Sequence, residues 1–122
     1  MQQISREQVQ SLMRKNASVV EVLPGPSFRK SHLPRAVNVP LDAAFEERIQ
    51  SVVPDKNTAV IVYCANIDCL LSPKAAERLD RLGYNKVFDY KAGKEDWTKA
   101  NLPVEGADRA VQRSVLECGP AA

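Results

Sequence analysis

One stretch, residues 58–83, constrains the fold more than any other: TAVIVYCANIDCLLSPKAAERLDRLG. The run Ala59-Val60-Ile61-Val62-Tyr63 is apolar and rich in β-branched residues, and it follows the turn-like Asp55-Lys56-Asn57. A continuous apolar run of this length reads as a strand buried on both faces. Ser72 followed by Pro73 predicts a helix start, with Ser72 as N-cap and Pro73 at the first helical position. Ala75, Ala76, Leu79 and Leu82 then recur at helical spacing, and Gly83 supplies the stop. Between strand and helix lies a short loop that begins with Cys64. Open α/β folds place their chemistry at the carboxyl ends of strands. There, backbone N–H groups and the helix dipole favour the thiolate, the nucleophilic form of cysteine. Cys64 is therefore the candidate functional centre.

The flanking sequence repeats the strand–helix pattern. Ser5 and Gln8 form a capping box for a first helix with Val9, Leu12 and Met13 inward, ended at Asn16. Residues 18–23 read as a strand, closed by Pro24-Gly25-Pro26. A helical turn over 27–31 carries Phe28 inward, and a short strand lies around 37–39 between prolines. Asp42 is expected to cap a helix through about Val53, with Phe45 and Ile49 on its buried face. Residues 86–90 form another strand, Lys91-Ala92-Gly93 a turn, and 94–101 a short helix bearing Trp97. Alternation at this spacing predicts βα units and a mainly parallel sheet covered on both faces. Residues 1–106 make the domain. Residues 107–122 are expected to form a C-terminal helical extension, with Ala107, Val111, Val115 and Cys118 on one stripe, packed on the domain or on a partner subunit.

Composition narrows the function classes. At 122 residues the chain suits one domain with a core of its own. A net charge of +2 from scattered residues implies neither nucleic acid nor an anionic membrane as partner. No apolar span approaches the roughly 18 residues of a membrane helix. The N-terminus lacks the layout of a signal peptide, which points to the cytoplasm. Three cysteines do not make a disulfide framework and fit a reducing compartment. Their spacing does not suit zinc, and one histidine excludes most histidine-based sites, so no metal or cofactor is expected.

Three segments resemble motifs of the rhodanese family in the family's order. Glu21-Val22-Leu23, Phe28 and residues 31–40 (SHLPRAVNVP) resemble the first box, D-V-R…G-H-I-P-G-A-x-N-V-P. Val62-Tyr63-Cys64 and Ser72-Pro73-Lys74-Ala75-Ala76 resemble the active-site strand and helix. Gly83-Tyr84, Val87, Ala92-Gly93, Trp97 and Leu102-Pro103-Val104 resemble the closing box, G-G-x-x-x-W…L-P-V. The resemblance implies a rhodanese-like α/β fold, a five-stranded mainly parallel sheet with helices on both faces, and Cys64 as the persulfide-forming catalytic residue. It also implies a structural role for His32, which belongs to the family's bracing box, and Trp97 reads as core.

The departures bear on substrate. The family loop is often C-x-x-G-x-R; here Cys69 stands at its last position, and Leu70 and Leu71 precede Ser72. The loop Ala65, Asn66, Ile67, Asp68, Cys69, Leu70, Leu71, Ser72 holds no Arg, Lys or Gly, and its one charge is acidic. Glu21 and Leu23 replace the family's Asp and Arg, and Ala92 replaces a Gly. A pocket without a cation attracts the thiosulfate dianion poorly. The expected donor is a small polysulfide or persulfide, or a sulfur-carrier protein, and the acceptor a thiol, in a monomer or homodimer. Lys74, in the first helical turn, offers partial compensation or is simply solvated. Cys69 is either a resolving thiol or the apolar wall of a lengthened loop. The alternative function is a non-catalytic module that binds a partner or senses oxidants through Cys64 and Cys69. Phosphatase or arsenate reductase chemistry is disfavoured, because it needs an arginine beside the thiolate.

Overall fold

The computed structural model describes residues 1–107. It contains β1 (Gln2–Gln3), α1 (Arg6–Arg14), β2 (Ser18–Glu21), α2 (Gly25–Lys30), β3 (Val37–Asn38), α3 (Phe45–Val52), β4 (Val60–Tyr63), α4 (Leu71–Leu82), β5 (Val87–Tyr90) and α5 (Gly93–Lys99). The strands form one sheet in the order β1-β5-β4-β2-β3, and every paired strand is parallel. The expected five-stranded α/β architecture is therefore present. β4, central and apolar throughout, is buried at all four positions, as covered parallel strands must be. The postulated helix over 107–122, Cys118 included, lies beyond the described residues except for Ala107.

Alternation along the strands separates two cores. Val20, Val60, Val62, Cys64 and Val87 meet Phe45 and Ile49 of α3 and Ala75, Ala76 and Leu79 of α4 on one face. On the other, Val19, Ile61, Tyr63 and Tyr90 meet Val9 and Met13 of α1 and Trp97 of α5. The Ser5–Gln8 capping box forms as predicted. Trp97 is buried, and its indole N–H donates to the Pro103 carbonyl at 2.8 Å. His32 stacks on Phe28 and donates from Nδ1 to the Phe28 carbonyl at 2.7 Å, while its backbone bridges Glu105. These contacts are the expected brace.

Several boundaries differ from the sequence reading. α2 begins at Gly25, because Pro26 sits in the first helical turn, where a missing N–H costs nothing. α3 begins only at Phe45; Asp42 makes a local turn instead, its Oδ1 accepting from Ala44 N–H. β1 was not anticipated. Two polar exposed residues carry no strand pattern, and only the edge of β5 makes them one.

A buried polar network ties the layers together. Glu21 and Tyr63, registered opposite each other on β2 and β4, are both fully buried. The Tyr63 hydroxyl donates to Glu21 Oε1 at 2.8 Å and accepts from Leu33 N–H at 3.1 Å. Lys94 of α5 pairs with Glu21 at 3.1 Å and donates to the carbonyls of Ser27 and Ser31 at 3.1 and 2.7 Å. Burial pushes the Glu21 carboxyl above its ordinary range, and Lys94 and the Tyr63 hydroxyl pull it back. Breaking a buried pair strands the remaining charge. Lys94→Met is expected to lower the unfolding free energy by roughly 3–5 kcal/mol in urea titrations, more than the loss of any exposed ion pair.

Candidate active site

Chain order reverses between β2 and β4: β2 continues outward to β3, and β4 returns on the other side. Loops diverge at such a point and leave a crevice at the carboxyl ends of the strands. Cys64 directly follows β4 at this crevice and is fully buried. An open cleft of about 490 Å³ lies there, lined by Leu23, Ser27, Ser31, Ala65, Asn66 and Thr98, with Lys30, Lys94 and Glu95 as its charged residues.

The cysteine loop is gripped from the β5–α5 junction. Lys94 N–H donates to the Cys64 carbonyl at 2.9 Å, and Glu95 N–H to the Ala65 carbonyl at 2.8 Å. These are first-turn amides of α5, which have no partner within their own helix. Gly93 permits the approach. Its φ is +72°, and a Cβ built there would lie 2.6 Å from the Cys64 carbonyl oxygen. On the far limb, Lys91 Nζ donates to the carbonyls of Ile67 and Cys69 at 2.6 and 3.1 Å. Asn66 turns the loop between the limbs, its side chain accepting from Asp68 N–H and its carbonyl from Cys69 N–H.

Cys64 and Cys69 are joined by a disulfide, with Cα atoms 6.4 Å apart. Cys69 also packs against the α3–α4 core, so the two readings of this residue are not exclusive. Among the described residues, the pairing takes both cysteines of a chain expected to hold free thiols. Asp68 and Lys74 are exposed, and among the described residues Ile67 and Leu70 are the most exposed large apolar side chains, at 58% and 62%.

The loop departs from its sequence pattern in two ways. Ser72 is not the N-cap of α4. The helix starts at Leu71, with Leu70 at the cap and no side-chain cap bond, so Ser72 and Pro73 fall inside the first turn. Leu71 thus belongs to the helix and not to a lengthened loop. The cleft is also not free of cations, because Lys30 and Lys94 line it. Both come from elements distant in sequence, so reading the loop alone could not find them. Gly93 was visible in the closing box, but its contact with Cys64 was not.

Behind the loop, Asp89 of β5 and Ser72 are fully buried, and neither side chain has a hydrogen-bond partner of ordinary geometry. Burial raises the Asp89 carboxyl above its ordinary 3.8, with the Ser72 hydroxyl and the Lys91 charge acting the other way.

Residues 5–100 match the rhodanese-like domain family. The chain belongs to that family. It is 31% identical over 91 residues to the HTH-type transcriptional regulator Rv0324 of Mycobacterium tuberculosis, a match covering 74% of this chain and 38% of the regulator. Thiosulfate sulfurtransferase PspE of Escherichia coli is 38% identical over 68 residues, covering 56% of this chain and 62% of that protein. The chain therefore spans less than two thirds of these relatives. Among solved structures, thiosulfate sulfurtransferase from Pseudomonas aeruginosa superposes with a TM-score of 0.76 at 25% identity, over 87% of this chain and 20% of that one. The polysulfide-sulfur transferase homodimer of Wolinella succinogenes shares the fold, with a TM-score of 0.72 at 14% identity over 87% and 79% of the two chains. Sulfurtransferases are thus among the proteins this domain is similar to.

Two measurements probe the construction of the site. Gly93→Ala combines a disfavoured φ with a clash against backbone, so a loss of about 1–3 kcal/mol is expected, with greater hydrogen exchange in residues 64–69. Asp89 has a raised folded-state pKa, so its contribution to stability is fullest below 3.8 and is lost as pH rises through the folded value. Asp89→Asn is therefore expected to stabilise the protein at pH 7 by roughly 1–3 kcal/mol, the gain fading towards pH 4 in thermal or urea unfolding.

Proposed function

We propose that this chain is a sulfurtransferase in which the reduced Cys64 thiolate takes a sulfane sulfur as a persulfide and passes it to a thiol acceptor. The observation that carries the reading is the position of Cys64 at the crevice between β2 and β4, with its loop held from α5. The family match and the sulfurtransferases among the relatives agree with it. In the first step the thiolate attacks a sulfane sulfur, the donor's S–S bond breaks, and the donor leaves with the bonding pair. In the second, the acceptor thiolate attacks the terminal sulfur and releases the Cys64 thiolate.

Charge in the cleft favours donors less charged than thiosulfate. Lys94 is committed to Glu21 and to two carbonyls, Glu95 lies beside it, and Lys30 is exposed to solvent screening. The loop itself contributes only Asp68. Backbone dipoles offer a neutral alternative. Among the described residues, the N–H groups of Ala65, Asn66 and Ile67 donate to no protein acceptor and are available to a sulfur anion. A polysulfide, an organic persulfide or the persulfide of a carrier protein suits such a site. The Cys64–Cys69 disulfide must be reduced before loading, which fits a reducing compartment such as the cytoplasm.

The same disulfide favours a second reading, a redox- or sulfur-sensing module that turns nothing over. Loading separates the two. The reduced protein is expected to gain about 32 Da, one sulfur atom, from polysulfide and to yield it to cyanide, and Cys64→Ser to gain none at that position. Thiosulfate kcat/KM is expected below about 10⁴ M⁻¹s⁻¹, the lower end of the common enzyme range. A reduced protein inert to every sulfane donor would leave only the module.

A further inference from the structure

We propose that Cys69 is a resolving thiol, so that in the absence of an acceptor the site reduces sulfane sulfur to sulfide; this rests on Cys64 carrying a persulfide. Geometry is the first support. The two cysteines lie five residues apart in sequence with Cα atoms at 6.4 Å, a separation that a disulfide spans without backbone movement. Burial is the second. Cys64 is fully buried, and an external thiol meets a Cys64 persulfide at its terminal sulfur. Cys69, on the same loop, reaches the inner sulfur, Sγ of Cys64. The third support is the hold on the loop. Lys91 takes the Ile67 and Cys69 carbonyls on one limb while α5 takes those of Cys64 and Ala65 on the other. Both cysteine-bearing limbs are thus held from one junction, with the two Cα atoms 6.4 Å apart.

The Cys69 thiolate attacks Cys64 Sγ and forms the Sγ–Sγ bond. The persulfide S–S bond breaks, and the terminal sulfur leaves with the bonding pair and a proton as hydrosulfide. The sulfane sulfur is reduced by the pair, and the two cysteines are oxidised to the disulfide. A dithiol reductant then exchanges with that disulfide, returns both cysteine thiols and leaves as its own disulfide. The Cys64–Cys69 bond is in this scheme an end point of turnover. The substrate class is an organic persulfide or polysulfide, and the co-substrate a dithiol.

The test uses the full chain, reduced with dithiothreitol, freed of it under nitrogen, and given one equivalent of glutathione persulfide. The wild-type protein is expected to release about one equivalent of sulfide and to end two hydrogens lighter than its dithiol form, with peptides of Cys64 and Cys69 joined. Cys69→Ser is expected to hold the added mass of about 32 Da on Cys64 and to release sulfide at least about tenfold more slowly. Restoring dithiothreitol should make sulfide release by the wild type catalytic. A wild-type protein that keeps the added sulfur without forming the disulfide overturns the proposal, as does Cys69→Ser releasing sulfide at the wild-type rate. If Cys69→Ser loads while the wild type forms no disulfide, only the resolving role falls. If neither protein gains sulfur, the persulfide reading falls and takes this one with it. The wild-type end state decides alone should the variant fail to fold.

Discussion

The ion pair between Glu21 and Lys94 organises the rest of the structure. Glu21 belongs to the sheet, Lys94 to the first turn of α5, and neither can be removed without stranding the other. Desolvating two charges is costly, and their mutual attraction offsets it only with good geometry and further hydrogen bonds. Here the Tyr63 hydroxyl and the carbonyls of Ser27 and Ser31 supply those bonds. Strand β4, the turn after α2 and the start of α5 are thereby fixed at one point. The backbone N–H of that same Lys94 holds the Cys64 carbonyl. The position of the cysteine loop thus depends on a charge buried one layer below it.

That arrangement separates what holds the loop from what acts in it. Carbonyls of the loop are taken up by α5 amides and by Lys91, while Ala65, Asn66 and Ile67 keep N–H groups uncommitted among the described residues. Donor groups left in this way suit an anionic sulfur species without adding a full charge. Cations near the cleft and its loop are paired with a buried carboxylate, as Lys94 is, bound to loop carbonyls, as Lys91 is, or exposed to water, as Lys30 is.

The fold was legible in the sequence wherever burial follows a period. The apolar run 60–63, the spacing of Ala75, Ala76 and Leu79, and the Ser5–Gln8 box each specify an element locally, and each forms. Errors fell where a short segment is decided by its neighbours. Gln2–Gln3 becomes a strand only because β5 offers an edge, and Ser72-Pro73 looks like a helix start although Leu71 already pairs into the first turn. Ser72 has its side chain buried behind the loop instead of at a cap. A cap must precede the first helical residue, and with α4 starting at Leu71 the Ser72 side chain lies inside the first turn.

For the candidate site, the sequence alone determined the place of the candidate nucleophile: a cysteine ending a buried strand, ahead of a helix, in an order of motifs shared with one family. It also determined that a second cysteine lies close along the chain and that the loop carries no cation of its own. Tertiary structure decided everything that arrives from a distance. Lys91, Gly93 and Lys94 grip the loop, Glu21 and Lys94 neutralise each other beneath it, and Asp89 lies buried behind it. The physical reason is that local pattern reports which residues are buried, whereas charge and hydrogen-bond partners depend on which strands become neighbours. Parallel pairing through crossover helices brings residues 21, 63 and 94 together, and no periodicity in the chain encodes that meeting.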